Sequence, residues 1–183
     1  MKNKKILIGV TGGIAAYKTC SLVNMFLKEG ADVKVMMTEA ATKFVGSLTF
    51  QSLTNHIVYI DMWRTVNEEE VEHISLAKWA DIVIISPATA NTIGKIACGI
   101  ADNLLTTVIM ATPSKTPVLI VPAMNTNMWN NPLVQKNIRA LKVNKKYLVV
   151  NPREGVLACR DEGKGKIAGN EDIFDSAKNA LSK

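Results

Sequence analysis

Three runs of the chain, KKILIGV (4–10), DIVIISPA (81–88) and PVLIVPA (117–123), are apolar at nearly every position. A strand with one face in water alternates apolar and polar residues. A strand covered on both faces does not need to, and such runs belong to sheets buried between two layers. The segments between these runs change period. Ala15, Ala16, Leu22, Val23, Phe26 and Leu27 recur at helical spacing, and Gly30 closes that helix. TANTIGKIACGIADNLLTTVIMA (89–111) is helical with a break near Gly99, and Asn131–Pro132 opens a helix through Leu141 with proline at its tolerated first position. DVKVMMT (32–38), a weaker IVYI (57–60) and KYLVVN (146–151) add strands. EAATKFV (39–45), GSLTFQSLT (46–54), HISLAKWA (73–80) and EDIFDSAKNALS (171–182) add helices. Alternation of this kind predicts an α/β fold, a three-layer doubly wound parallel sheet. DMWRTVNEEEVE (61–72) reads as a surface loop, and PREGVLACRDEGKGKIAG (152–169) as a long loop.

Length and composition bound the rest. With 183 residues, 48% of them hydrophobic, a single domain over 1–183 is expected. A net charge of +6 favours anionic ligands, but the lysines are scattered, so no nucleic acid is expected as partner. Cys20, Cys98 and Cys159 are odd in number and lack metal-ligand spacing, which points to a reduced, cytoplasmic setting and no metal. Cys20 and Cys98 fall within helical patterns and read as small core residues. The N-terminus resembles a signal peptide only superficially, because Gly12–Gly13 interrupts the apolar run. No stretch is long and uncharged enough to span a membrane.

Ligands of doubly wound sheets sit beyond the carboxyl ends of the strands, where strand order reverses. The exits here are TGGIAA, MMTEAA, SPATAN, PAMNTNMW and NPREGVLAC. Gly12 and Gly13, between strand and helix, offer backbone N–H groups to a phosphate, or form a plain tight turn. Thr38 could add a hydroxyl to that phosphate, or only cap a helix. Ser86, Thr89 and Asn91 leave room for a flat ring and offer hydrogen bonds, although SPAT is also an ordinary turn with Thr89 as cap. His73 stands at a helix start, where the dipole favours a proton-accepting ring; a helix-end histidine without chemistry is the alternative. His56 reads as solvated. Cys159 lies in a glycine-rich basic loop near Arg160, Lys164 and Lys166, and Gly163 and Gly165 suit a flap. VPAMNTNMWNNP (121–132) puts large apolar groups and neutral amides at a strand exit. By itself it is a hydrophobic loop capping the sheet.

Taken together, TGGIAAYK, EHISLAKWADIVIISPATANTIGKIACGIADNLLT, PAMNTNMWNNPLVQKNI and GVLACRDEGKGKIA resemble, in order and over nearly the whole chain, the flavin-dependent cysteine decarboxylases, and within them the phosphopantothenoylcysteine decarboxylases. PAMNTNMW fits that family's P-x-M-N-x-x-M-W motif. The resemblance implies a Rossmann-like, flavodoxin-type flavoprotein. It also implies FMN-dependent decarboxylation of 4'-phosphopantothenoyl-L-cysteine to 4'-phosphopantetheine in coenzyme A biosynthesis, a carbon–carbon lyase reaction. Gly13, Ile14, Thr38, Ser86, Ala88 and Thr89 would contact FMN, with Phe44 against the flavin region. His73 would be the essential histidine. Asn125 would bind the substrate carboxylate beside Met128 and Lys166, and Cys159 would donate a proton from the substrate-covering flap, 152–169. A homotrimer, or a higher multiple of trimers, with flavin sites at subunit contacts is implied.

The sequence departs from the family's flap pattern A-C-G-D-x-G-x-G-R-M. Arg160 stands for the Gly, Lys166 for the Arg and Ile167 for the Met. A phosphopantothenate–cysteine ligase is an expected partner, separate or fused, since 183 residues leave no room for it. Two rival readings share the fold. A peptidyl-cysteine decarboxylase of lantibiotic maturation would not need Cys159. A non-catalytic regulatory flavoprotein would not need His73, Asn125 and Cys159 together.

Overall fold

The computed structural model describes residues 1–63 and 72–182, so most of the expected 61–72 loop lies outside the described residues. In chain order the elements are β1 (Lys5–Val10), α1 (Ala16–Lys28), β2 (Asp32–Met37), α2 (Glu39–Thr42), α3 (Ser47–Thr54), β3 (Val58–Tyr59), α4 (Glu72–Trp79), β4 (Ile82–Ala88), α5 (Ala90–Ala97) and α6 (Leu104–Ala111). They continue with β5 (Val118–Pro122), α7 (Thr126–Asn130), α8 (Pro132–Val143), β6 (Tyr147–Val149), β7 (Arg153–Val156), β8 (Glu162–Lys166) and α9 (Asn170–Leu181).

Six strands form one parallel sheet in the order β3-β2-β1-β4-β5-β6. Of the doubly wound arrangements this is the six-stranded Rossmann order, and its direction reverses between β1 and β4. The continuous apolar runs are resolved by side-chain alternation. Ile6, Ile8, Ile82, Ile84, Leu119 and Val121 face one core, shared with Leu22, Val23 and Phe26 of α1 and Ile173 of α9. Leu7, Val83, Ile85, Val118 and Ile120 face the other, against Leu104, Leu105 and Val108 of α6 and Ile138 of α8. Each fully buried Ile, Leu or Val contributes about 1.5–3 kcal/mol, so both faces of the sheet are strongly committed.

Several expectations change. Residues 152–169 are not a structureless loop: β7 and β8 pair antiparallel as a separate two-stranded hairpin. VPAMNTNMWNNP contains a helix, α7, before the one that starts at Pro132. Cys98 is exposed at the end of α5 rather than in the core. Cys20, by contrast, keeps its expected place: half-buried, it packs against the core on the α1 side, and burial pushes its thiol up from the ordinary range. His56 is not simply solvated, since its Nε2 lies 2.9 Å from Asp32 Oδ1. No helix among the described residues is long and apolar enough to cross a membrane.

Candidate functional site

A cavity of about 610 Å³ opens at the carboxyl edge of the sheet, beside the reversal between β1 and β4. Four segments wall it: the β1–α1 turn, the β4–α5 turn, the β5–α7 turn and the hairpin. The first two are stitched together across the reversal. Thr11 Oγ1 donates to Pro87 O at 2.7 Å and accepts from Thr89 N at 3.1 Å, while Thr19 Oγ1 donates to Ser86 O at 2.8 Å. All three bonds lie in a largely buried region, where a satisfied polar network holds a unique geometry. Gly12 allows the third close approach, because a Cβ there would collide with Ala40 at the start of α2. Ser86 is the exception in this network. It is buried, yet its hydroxyl has no hydrogen-bond partner among the described residues. A buried orphan of this kind needs an explanation.

The opposite wall is built where PAMN meets the hairpin. Asn125 is the N-cap of α7, its Oδ1 accepting from Asn127 N at 2.8 Å. That bond turns Nδ2 outward, where it lies 3.0 Å from Asp161 Oδ2 and 3.5 Å from Cys159 Sγ. Cys159 Sγ in turn donates to the same Asp161 oxygen at 3.3 Å. An amide, a thiol and a carboxylate thus converge at one corner of the cavity.

Two backbone features bring the hairpin here. Met124 N donates to Gly165 O at 3.0 Å, and Gly165 has φ +142°, with the position of its missing Cβ filled by Met124 O. Only glycine lets β8 lie this close to the β5 exit. At the hairpin tip Leu157 N donates to Asp161 O at 2.8 Å and Arg160 N to Leu157 O at 2.9 Å, a tight turn that aims Asp161 at Asn125. Arg160 occupies the turn at φ +69°. This left-handed position explains why glycine is the pattern residue there; arginine adopts it at a cost of about 1–2 kcal/mol.

Residues 1–182 match the family model described as Flavoprotein. The chain belongs to the flavoprotein family. It is 46% identical over 97% of its length to the coenzyme A biosynthesis bifunctional protein CoaBC of Bacillus subtilis, but spans only 43% of that relative. Against a probable phosphopantothenoylcysteine decarboxylase of Streptococcus mutans it is 42% identical, covering 97% of this chain and 99% of the relative. Among solved structures, a PPC decarboxylase cysteine-to-serine mutant complexed with pantothenoylaminoethenethiol superposes with TM-score 0.87 at 31% identity, covering 100% of both chains. The FMN binding protein AtHal3 superposes at 0.82 with 32% identity, over 97% of this chain and 96% of the other.

In this flavoprotein Gly13, Ile14, Thr89, Asn125, Met128, Cys159 and Lys166 line one cavity, although their segments are far apart in sequence. Ser86 and Ala88 do not line it; they are buried at the end of β4, on either side of Pro87, which does. Thr38 and Thr89 both cap helices, Thr38 Oγ1 accepting from Ala41 N and Thr89 Oγ1 from Thr92 N. Thr38 and half-exposed Phe44 do not line the cavity. His73, half-buried on α4, also lies off this wall. Sequence reasoning missed Thr11, Thr19 and Asp161. The aspartate stands in the flap pattern, but only the folded hairpin shows that it faces Asn125.

Proposed function

We propose that this flavoprotein catalyses the FMN-dependent decarboxylation of 4'-phosphopantothenoyl-L-cysteine to 4'-phosphopantetheine, the coenzyme A step performed by relatives of that name. The observation that carries this reading is the meeting of the Asn125 amide and the Cys159 thiol 3.5 Å apart in a cavity at the sheet reversal. The residues present suit a flavin. Gly12 and Gly13 line the cavity and offer backbone N–H groups to its phosphate, and Ser86, next to the lining residue Pro87, carries a buried hydroxyl without a partner among the described residues. Half-exposed Ile14, Tyr17, Met128 and Val156 give the cavity an apolar rim for a flat ring.

FMN, when bound, supplies the two-electron oxidation of the cysteinyl group that makes an electron sink for CO₂ loss, and its later reversal. The chain's own groups bind and protonate. Asn125 Nδ2 donates to the substrate carboxylate without the strong ion pair that would oppose CO₂ departure. Lys166 and Met128 flank the substrate, Cys159 gives a proton from Sγ, and residues 152–169 act as the covering flap. His73 accepts the thiol proton. The proposal includes a homotrimer, or a multiple of trimers, in which a neighbouring copy brings His73 to the site. Cytoplasmic location and a separate or fused phosphopantothenate–cysteine ligase complete the reading.

The test is to load the protein with FMN, supply phosphopantothenoylcysteine, and follow CO₂ and product mass. Phosphopantetheine is expected. A product two hydrogens lighter would point to the peptidyl-cysteine type of chemistry, and failure to take up flavin would overturn the proposal.

Ser86→Ala separates cofactor binding from folding. Removing an unpartnered buried hydroxyl leaves the apoprotein melting at the same or a slightly higher temperature. FMN affinity falls about tenfold in a fluorescence titration, the size of one lost hydrogen bond.

A further inference from the structure

We infer that Asp161 is an internal stand-in for the substrate's carboxylate: it holds the Asn125 amide until the incoming carboxylate displaces it. The inference rests on the reading of Asn125 as the group that binds that carboxylate. The geometry is specific. Asn125 Oδ1 is committed to Asn127 N, so only the Nδ2 end faces the cavity. Nδ2 and the Cys159 thiol both point to a single oxygen, Asp161 Oδ2, at 3.0 and 3.3 Å. These are the two groups proposed to hold and then protonate the substrate, and here they converge on a carboxylate. Asp161 has cations near it in sequence, Arg160, Lys164 and Lys166, yet it makes no ion pair among the described residues. Its contacts are with the amide and the thiol instead. The turn closed by Leu157 and Arg160 fixes it there.

A consequence concerns selectivity. A ligand bearing a carboxylate competes with Asp161 for one donor, whereas a ligand without one leaves the Asp161–Asn125 contact in place. Asp161 therefore weakens substrate binding selectively. Once CO₂ has left, it returns to Asn125 and favours release of the decarboxylated product. It acts on the reaction through Asn125, as a positioning residue.

Two unreactive probes test this on the FMN-loaded protein. One is the substrate analogue with serine in place of cysteine, which keeps the carboxylate but has no thiol to oxidise. The other is its decarboxylated counterpart, the ethanolamide. Calorimetric affinities are measured for wild type, Asp161→Ala, Asp161→Asn and Asn125→Ala. Asp161→Ala is expected to bind the serine analogue about tenfold more tightly, with the ethanolamide changed less than about twofold. Asp161→Asn, which keeps the shape and removes the charge, shifts the same ratio in the same direction by less. If Asp161→Ala changes both probes by the same factor, the residue merely braces the flap and the proposal is wrong. Weaker binding of the serine analogue alone also overturns it. Asn125→Ala separates the two levels of argument. If it selectively weakens the serine analogue while Asp161→Ala alters neither probe, Asn125 reads the carboxylate and only the Asp161 proposal falls. If Asn125→Ala leaves both affinities unchanged, the reading of Asn125 itself fails, and the proposal with it.

Discussion

Asn125→Asp is expected to lower kcat/KM about a thousandfold, roughly 4 kcal/mol of transition-state stabilisation, while the protein melts within a degree or two of wild type. The two effects separate because the two ends of the amide do different work. Oδ1 caps α7 through Asn127 N, and aspartate caps as well as asparagine. Nδ2 is the donor that faces Asp161 and Cys159, and aspartate has no N–H to replace it. Losing a hydrogen bond to a charged partner costs about 1.5–3 kcal/mol. The rest comes from repulsion, since the new carboxylate faces both Asp161 and the substrate's own. CO₂ release by the FMN-loaded variant and a thermal melt decide the matter. A rate within threefold of wild type would remove Asn125 from the proposed mechanism. An equally large loss of stability would show that the cap, not the donor, had been disturbed.

What could be read before the fold was known follows from where the physics is local. Buried parallel strands announce themselves as unbroken apolar runs, so β1, β4 and β5 and the helices between them were legible, and so was the sheet edge that holds the site. The helix α7 was not, because five residues are too few to show a period and Asn125 and Thr126 read equally well as loop. The hairpin was missed for a different reason. EGKGK and REGV lie outside the main sheet and carry mostly glycine and charge, so neither alternation nor β-branched residues mark them. They pair with each other, and β8 docks onto Met124 through its bond to Gly165 O, a tertiary contact. Asn125 and Cys159 stand out in the sequence as candidate site residues, and the fold brings them to one cavity. That Asp161 closes a triangle with them depends on the turn at Arg160, which spacing does not reveal. His73 is legible as a residue type, but it lies on α4, away from the cavity lining.

Gly165→Ala is expected to reduce activity about a hundredfold with only a modest loss of stability, about 1–3 kcal/mol. At φ +142° an alanine is strained, and its Cβ would meet the backbone oxygen of Met124, which has no rotamer by which to withdraw. The strain is relieved by moving β8 away from the β5 exit, at the expense of the bond from Met124 N to Gly165 O. Because β8 pairs with β7, the hairpin moves with it and carries Cys159 and Asp161 away from Asn125. The displacement has a natural limit. Ile167 and Ala168 follow directly and are buried in the core on the α1 side of the sheet, so the six-stranded sheet stays anchored. The signature is therefore lost CO₂ release together with faster protease cleavage within 153–166, against a cooperative unfolding transition that shifts only slightly. Gly46→Ala is the control, since nothing lies within 4 Å of a Cβ there and its φ of −65° suits alanine. Equal activity of the two variants would mean that the docked hairpin is not required for catalysis.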